Sequence, residues 1–188
     1  MSRKARVDRE GIVRAALELL DEKGPAGLSM RALGSRLGVQ AASLYNHVSG
    51  KSELRQLVAD AVWTGVIDGL DGELAWRPLF EQLAANVRAG LRAHPGAAQV
   101  LAVTNMSAEV YGPAVPLVTR AFARLGVDDQ DALLAVSSLG VLAVGLAAAE
   151  FGDAPHAPVA PREYYDHWFE LAVGTFLDGV AARLVPGS

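Results

Sequence analysis

Apolar residues recur along this chain at spacings of three and four, the period of a helix with one buried face, and no stretch alternates with the period of two that a half-buried strand needs. Ile12, Ala15, Ala16, Leu19 and Leu20 form the first such stripe. Asp8 is placed to cap that helix, Val7 and Ile12 to staple its entry, and Gly24-Pro25 to stop it. Ser29 caps a second, short helix predicted to run to about Leu37, where Gly38 ends it. A third helix is predicted from Ala41 to His47, closed by Ser49-Gly50. The fourth starts near Lys51, carries Leu54, Leu57, Val58, Ala61 and Val62 on one stripe, and is predicted to reach about Leu70. Beyond Asp71-Gly72 the pattern predicts helices near 76–93, 96–104, 108–125, 129–151 and 161–184, with 152–160 an exposed loop. The predicted fold class is all-α.

Two short helices joined at a glycine, within residues 29 to 48, have the layout of a helix-turn-helix. Ala32, Leu33 and Leu37 can meet Leu44 and Val48, and Gly38 can take the positive φ that a side chain opposes. The outward positions are then Gln40, Ala41, Ala42, Ser43, Tyr45, Asn46 and His47. None is a carboxylate, which would repel phosphate. Small residues let a helix sink into a groove, and Gln or Asn can pair with base edges. Ala41 and Ala42 offer only methyl contact or clearance, so specificity must lean on Gln40, Ser43, Asn46 and Arg31. Tyr45 and His47 also read as packing residues.

The charge distribution changes the picture that the total suggests. The chain has a net charge of −4 and a pI near 5.5. Residues 1 to 60 hold ten Lys/Arg against seven Asp/Glu, and the remainder holds seven against fourteen. A basic end on an acidic body assigns phosphate contact to the end. Cysteine is absent, which excludes disulfides and thiolate metal sites. No signal-type apolar stretch follows the basic N-terminus, and a cytoplasmic location is expected. Residues 132 to 149 carry no charge and reach the lower length for a spanning helix. Their Ala, Gly and Ser content, without basic or aromatic flanks, instead predicts a helix buried in protein, and no membrane partner is expected. No nucleophile elbow, zinc-protease motif or phosphate loop occurs, so no enzyme and no cofactor is expected.

The run LGV-xxxx-LYxHV-xxK, within a stretch covering about residues 7 to 62, resembles the N-terminal domain of TetR-type regulators. The resemblance implies a three-helix DNA-binding domain over 1–52, a connecting fourth helix at about 51–70, and a helical effector-binding and dimerisation domain over 72–185. It implies that Arg31 reaches a base or phosphate, that Gln40, Ala41, Ala42, Ser43 and Asn46 face the bases, and that Tyr45, His47 and Lys51 contact phosphate. Arg3, Lys4 and Arg6 are expected to form a basic arm. The segment AWRPLFEQLAANVRAGLRAHPGAAQVL resembles, more loosely, the branch nearest the tetracycline repressors. Those repressors carry a histidine metal ligand in the helix after the corresponding turn. The matching position here is Leu101, so no metal centre is expected.

The implied function is a homodimeric repressor that reads a palindromic double-stranded operator and is released by a small-molecule effector. A dimer is expected because one helix-turn-helix reads too few base pairs for selectivity. Its expected faces are 132–149 and the stripe Trp168, Leu171, Ala172, Thr175, Phe176 and Val180. Candidate effector-pocket residues are Trp63, Trp76, Asn86, Thr104, Asn105, Met106, Tyr111, Ser137 and Glu150. Two other readings stay open at this level: a dimeric ligand-binding module that no longer reads DNA, and a small helical enzyme.

Overall fold

A computed structural model describes residues 8–152 and 156–185. The described residues are helical throughout, without strands. The arm at Arg3, Lys4 and Arg6, the staple residue Val7 and part of the predicted loop fall outside the described residues.

Helix α1 spans Arg9–Gly27 and is capped as the sequence predicts, the Asp8 carboxylate accepting the Gly11 N–H at 2.8 Å. Ile12, Ala15, Ala16, Leu19 and Leu20 are buried. Gly24, with φ 64°, kinks the helix instead of ending it, and Pro25 starts a last turn. Helix α2 spans Met30–Leu37, and the Ser29 hydroxyl accepts the Ala32 N–H at 3.2 Å. It ends on Gly38 in the left-handed region, with the Val39 N–H donating to Gly34 O at 2.9 Å. Helix α3 spans only Ala41–Leu44. The N–H groups of His47 and Val48 both donate to Leu44 O, so the predicted final turn tightens. Val48 is thereby drawn into the core beside Leu44 and Leu33. Helix α4, Lys51–Asp68, buries Leu54, Val58 and Val62, with Leu57 and Ala61 half-buried.

Helix α5 spans Trp76–Ala93. A 3-10 turn at Pro95–Ala97 leads into α6, Ala98–Leu101, which stops short of the predicted end at 104. The region predicted as one helix over 108–125 is broken. Helix α7, Ala108–Tyr111, is followed by a 3-10 turn at Gly112–Ala114 and by α8, Val115–Ala123. Pro113 and Pro116 lack the N–H groups that an unbroken helix would use there. Helix α9 spans Asp129–Phe151 as predicted, and α10 spans Arg162–Leu184. Helix α9 packs against α5, α8 and α10, α4 packs against α5, and α1 meets the turn at 95–97. By length and composition α9 is apolar enough to cross a membrane; here it buries Ala132, Leu139, Ala143 and Ala147 among its neighbours. One hydrophobic core runs from Ile12 to Val180.

A buried ion-pair network ties α5, α9 and α10 together. Arg88 Nε donates to Glu150 Oε2 at 2.8 Å, and Arg88 Nη2 lies 2.8 Å from Asp166 Oδ1. That second contact is an ion pair without a well-directed hydrogen bond, because Nη2 is otherwise unpartnered. Arg92 reaches Glu150 at 3.6 Å, and the Arg88 guanidinium lies 4.8 Å from the centre of the Phe169 ring. Burial acts to lower the Arg88 pKa, but Glu150 and Asp166 outweigh it and hold the guanidinium firmly charged. Glu150, expected at the effector pocket, is therefore structural.

Two stability effects follow. An alanine at Gly34 would place its Cβ 2.9 Å from Val39 O and 3.1 Å from Ala41 N, both backbone atoms at the start of α3. Gly34→Ala is expected to cost about 1–3 kcal/mol, read as a lower urea midpoint; an unchanged midpoint contradicts the close approach. Glu150→Leu is expected to cost about 1–3 kcal/mol, because it removes the hydrogen-bonded partner of a buried guanidinium and leaves it only the Asp166 ion pair. The double variant Arg88→Met/Glu150→Leu should recover much of that loss in the same measurement.

Candidate nucleic-acid interface and effector cavity

The third helix is held by its buried residues and presents the rest. Leu44 and Val48 are buried, while Gln40, Ala42, Ser43, Tyr45 and Asn46 are exposed, and Ala41 and His47 are half-buried. Tyr45 is 55% exposed, which removes the core reading of that residue. Arg31 on α2 and Lys51 at the start of α4 are exposed as well. The side chains of Arg31, Gln40, Ser43, Tyr45, Asn46, His47 and Lys51 make no hydrogen bond or ion pair among the described residues.

Two nearby cations, Arg36 and Arg9, are committed to the fold. Arg36 pairs with Glu18 at 2.9 Å and with Glu22, fastening α2 to α1. The hydrogen bond from Arg36 holds the Glu22 carboxyl below its ordinary range, and the two glutamates raise the Arg36 pKa further. Arg9 pairs with Glu53 across α1 and α4. Glu53 also accepts the Ser49 N–H at 2.7 Å, and that bond is the main reason its carboxyl sits below the usual range. Among the exposed cations that the sequence reading gave no role is Arg55. Arg55, four residues after Lys51 on α4, is exposed and forms no ion pair among the described residues. The i, i+4 spacing to Lys51 was the available signal.

A cavity of about 420 Å³ lies between α4, α5, α6, α8, α9 and the segment 102–106. Of the predicted pocket residues, Trp63, Thr104, Asn105, Met106, Tyr111 and Ser137 line it. Trp76, Asn86 and Glu150 do not. Trp76 stacks with Phe80 and Phe122 at ring separations of 5.9 and 5.4 Å. Asn86 donates to Val66 O at 3.1 Å and lines a separate groove between α1, α4 and α5. Leu101 is buried in the cavity wall and offers no metal donor. Among the described residues no cluster of His, Cys, Asp and Glu could hold a metal ion.

The cavity's outer segment is fastened to α4 by groups the sequence reading did not single out. Asp60 Oδ1 accepts the Ser107 N–H at 3.0 Å and Gln56 Nε2 at 3.0 Å, and Gln56 Nε2 also donates to Asn105 O at 2.9 Å. A second fastening joins α1 to the end of α5. Asp21 accepts the Gly96 N–H at 2.9 Å and lies 3.0 Å from His94 Nδ1.

The family model of bacterial regulatory proteins, tetR family, matches residues 12–58, from α1 to the middle of α4. An HTH-type transcriptional regulator of Saccharopolyspora erythraea is 33% identical over 147 residues, covering 78% of this chain. The chain spans 62% of that relative's length. Tetracycline repressor protein class D of Escherichia coli is 30% identical over 163 residues, which are 82% of this chain and 74% of that protein. The crystal structure of BioQ with its double-stranded DNA operator superposes at a TM-score of 0.74 with 26% identity, covering 95% of this chain and 100% of that one. On this sequence and structural likeness, the chain belongs to the TetR family of bacterial regulatory proteins.

Proposed function

We propose that this chain is a sequence-specific transcriptional repressor that binds operator DNA as a homodimer and leaves it when a small molecule fills the 420 Å³ cavity. The observation that carries the reading is the row of exposed, uncommitted groups at Gln40, Ser43, Tyr45 and Asn46, flanked by Arg31 and Lys51. Gln40, Ser43 and Asn46 would read base edges, with Ala41 and Ala42 giving clearance. Arg31 would reach a base or phosphate, and Tyr45, His47 and Lys51 would hold the backbone. Arg55 joins them as a further phosphate contact. The first turn of α4 favours anions through its dipole as well as through Lys51. BioQ, solved with its operator, supports the same docking by likeness of fold. We divide the chain into a reading domain over 1–52, joined by α4 to an effector-binding and dimerisation domain over 72–185. A cytoplasmic location and the absence of an enzymatic step belong to the same reading.

Dimerisation is supported by the outer faces of α9 and α10. Leu134 and Val141 on α9 and Tyr164, Trp168 and Leu171 on α10 are large apolar residues left exposed in the single chain. Thr175 lies beside them in a groove shared with Leu134 and Ser138, whereas Val180 of the expected stripe is buried within the chain. Two such faces packed about a two-fold axis cover this surface and set two reading heads on one palindrome.

Release needs only a ligand that favours a wrongly spaced pair of heads. Helix α4 is the proposed lever. It begins at Lys51, carries Gln56 and Asp60 to the cavity's outer segment, and contributes Trp63 and Ile67 to the wall.

Lys51→Ala is expected to weaken operator binding and to flatten the plot of log affinity against log salt by about one unit. A gel-shift titration at several salt concentrations checks this, and an unchanged slope rules out a phosphate contact at Lys51. Linkage makes the lever visible without a ligand. Operator binding should alter hydrogen exchange of the amides in 103–107. Asp60→Ala should speed exchange at Ser107 about tenfold, the worth of one hydrogen bond, and remove the operator's effect on that segment. Persistence of the operator's effect in Asp60→Ala would show that coupling runs elsewhere.

A further inference from the structure

The residues lining the cavity include no Asp, Glu, Lys, Arg or His. Its deep wall is apolar, with Trp63, Leu83, Leu101, Val118 and Val144 all buried. The polar lining groups stand further out. Asn105 and Ser137 are exposed in the single chain at the rim, beside Val141 of the proposed dimer face, and Thr104 and Tyr111 are half-buried. The side chains of Thr104, Asn105, Tyr111 and Ser137 have no hydrogen-bond partner among the described residues. Asp60, on the α4 side of the same segment, is occupied by the Ser107 N–H and Gln56.

We propose that the effector is an uncharged, predominantly apolar molecule of drug-like size, seated with its apolar body against Trp63 and Leu101 and its hydrogen-bonding groups toward Asn105 and Ser137. The proposal rests on the reading of this chain as an effector-released regulator and names the class of molecule that its cavity takes. The volume suits such a ligand, and a mostly apolar lining with a few polar groups is what fixes orientation in small-molecule sites. An ionised group moved into this lining loses its hydration and meets no opposite charge, so the ionised ligand binds more weakly than its neutral isostere. A metal chelate is disfavoured for the same reason, and Leu101 adds no donor to hold one.

Three tricyclic probes of one shape test the proposal: 9-anthracenemethanol, 9-anthracenecarboxylate and the cation of 9-(aminomethyl)anthracene. Binding to the full chain is read by energy transfer from tryptophan and by equilibrium dialysis, with Trp63→Phe identifying transfer from the cavity wall. The alcohol should bind, and the carboxylate and the ammonium should each bind at least about tenfold more weakly. Ser137→Lys, which places a cation at the exposed rim, should improve carboxylate binding at least about tenfold and leave the alcohol within a few-fold. Carboxylate or ammonium binding as tight as the alcohol overturns the proposal, as does no binding of any probe up to its solubility. A gel shift on the same samples separates this proposal from the functional reading. Alcohol that binds in the cavity without changing operator affinity contradicts effector release and leaves the ligand class standing. Carboxylate that alone binds and releases operator does the reverse.

Discussion

Helix α4 is one unbroken rod of 18 residues that packs against α1 on one side and against α5, α6 and α7 on the other, so one element touches both the reading head and the cavity. At 1.5 Å of rise per residue, Lys51 and Trp63 are separated by about 18 Å. A rod of this kind cannot absorb a displacement at one end without passing it to the other, since each residue is fixed by a backbone bond to the turn before. Its buried stripe, Leu54, Val58, Val62 and Val66, anchors it in the core, and the helix packs against α1 and α5. The proposed DNA contact and the proposed ligand wall are thus two ends of a single element, and the helix between them leaves little slack.

The strength of the fastenings along that rod fits a switch better than a lock. Gln56 and Asp60 hold segment 105–107 with a small set of hydrogen bonds, each worth about 1 kcal/mol net. Allosteric coupling lies on the scale of about 1–3 kcal/mol. A fastening much stronger than that would not yield to a ligand, and one much weaker would not move α4. The Arg88–Glu150–Asp166 network is of another kind. It is more deeply buried and joins three helices, α5, α9 and α10.

What the sequence made legible was local chemistry. The caps at Asp8, Ser29 and Gly38, the helix over 129–151 and the exposed row from Gln40 to Asn46 each depend on residues close in sequence. The early end of α3 was not legible: burial of Val48 was, but the same residues suit a full helical turn or the tighter turn in which His47 and Val48 both donate to Leu44 O. Nor could periodicity assign Trp76, Asn86 and Glu150. It shows which face of a helix is covered, not what covers it: Phe122 for Trp76, the Val66 carbonyl for Asn86, and Arg88 for Glu150. The prolines at 113 and 116 were visible, yet three short helical segments and one helix share the same apolar pattern. Six of the nine pocket candidates line the cavity, and the other three make contacts between helices instead.

Charge shows why the composition understates a DNA-binding surface. The acidic remainder of the chain gives the total its sign, but exposed charges act over a Debye length of only about 8–10 Å at physiological salt. What phosphate meets is the local field, and that field is set by which cations are already paired. Arg9 and Arg36 hold α1, α2 and α4 together, and their carboxylate partners cancel most of what they would offer outside. Arg31, Lys51 and Arg55 have no such partners among the described residues and keep their full charge for a ligand. A count of lysines and arginines cannot make this distinction. The fold makes it by spending some cations on its own helices and leaving others beside the exposed turn of α3, where a phosphate backbone would run.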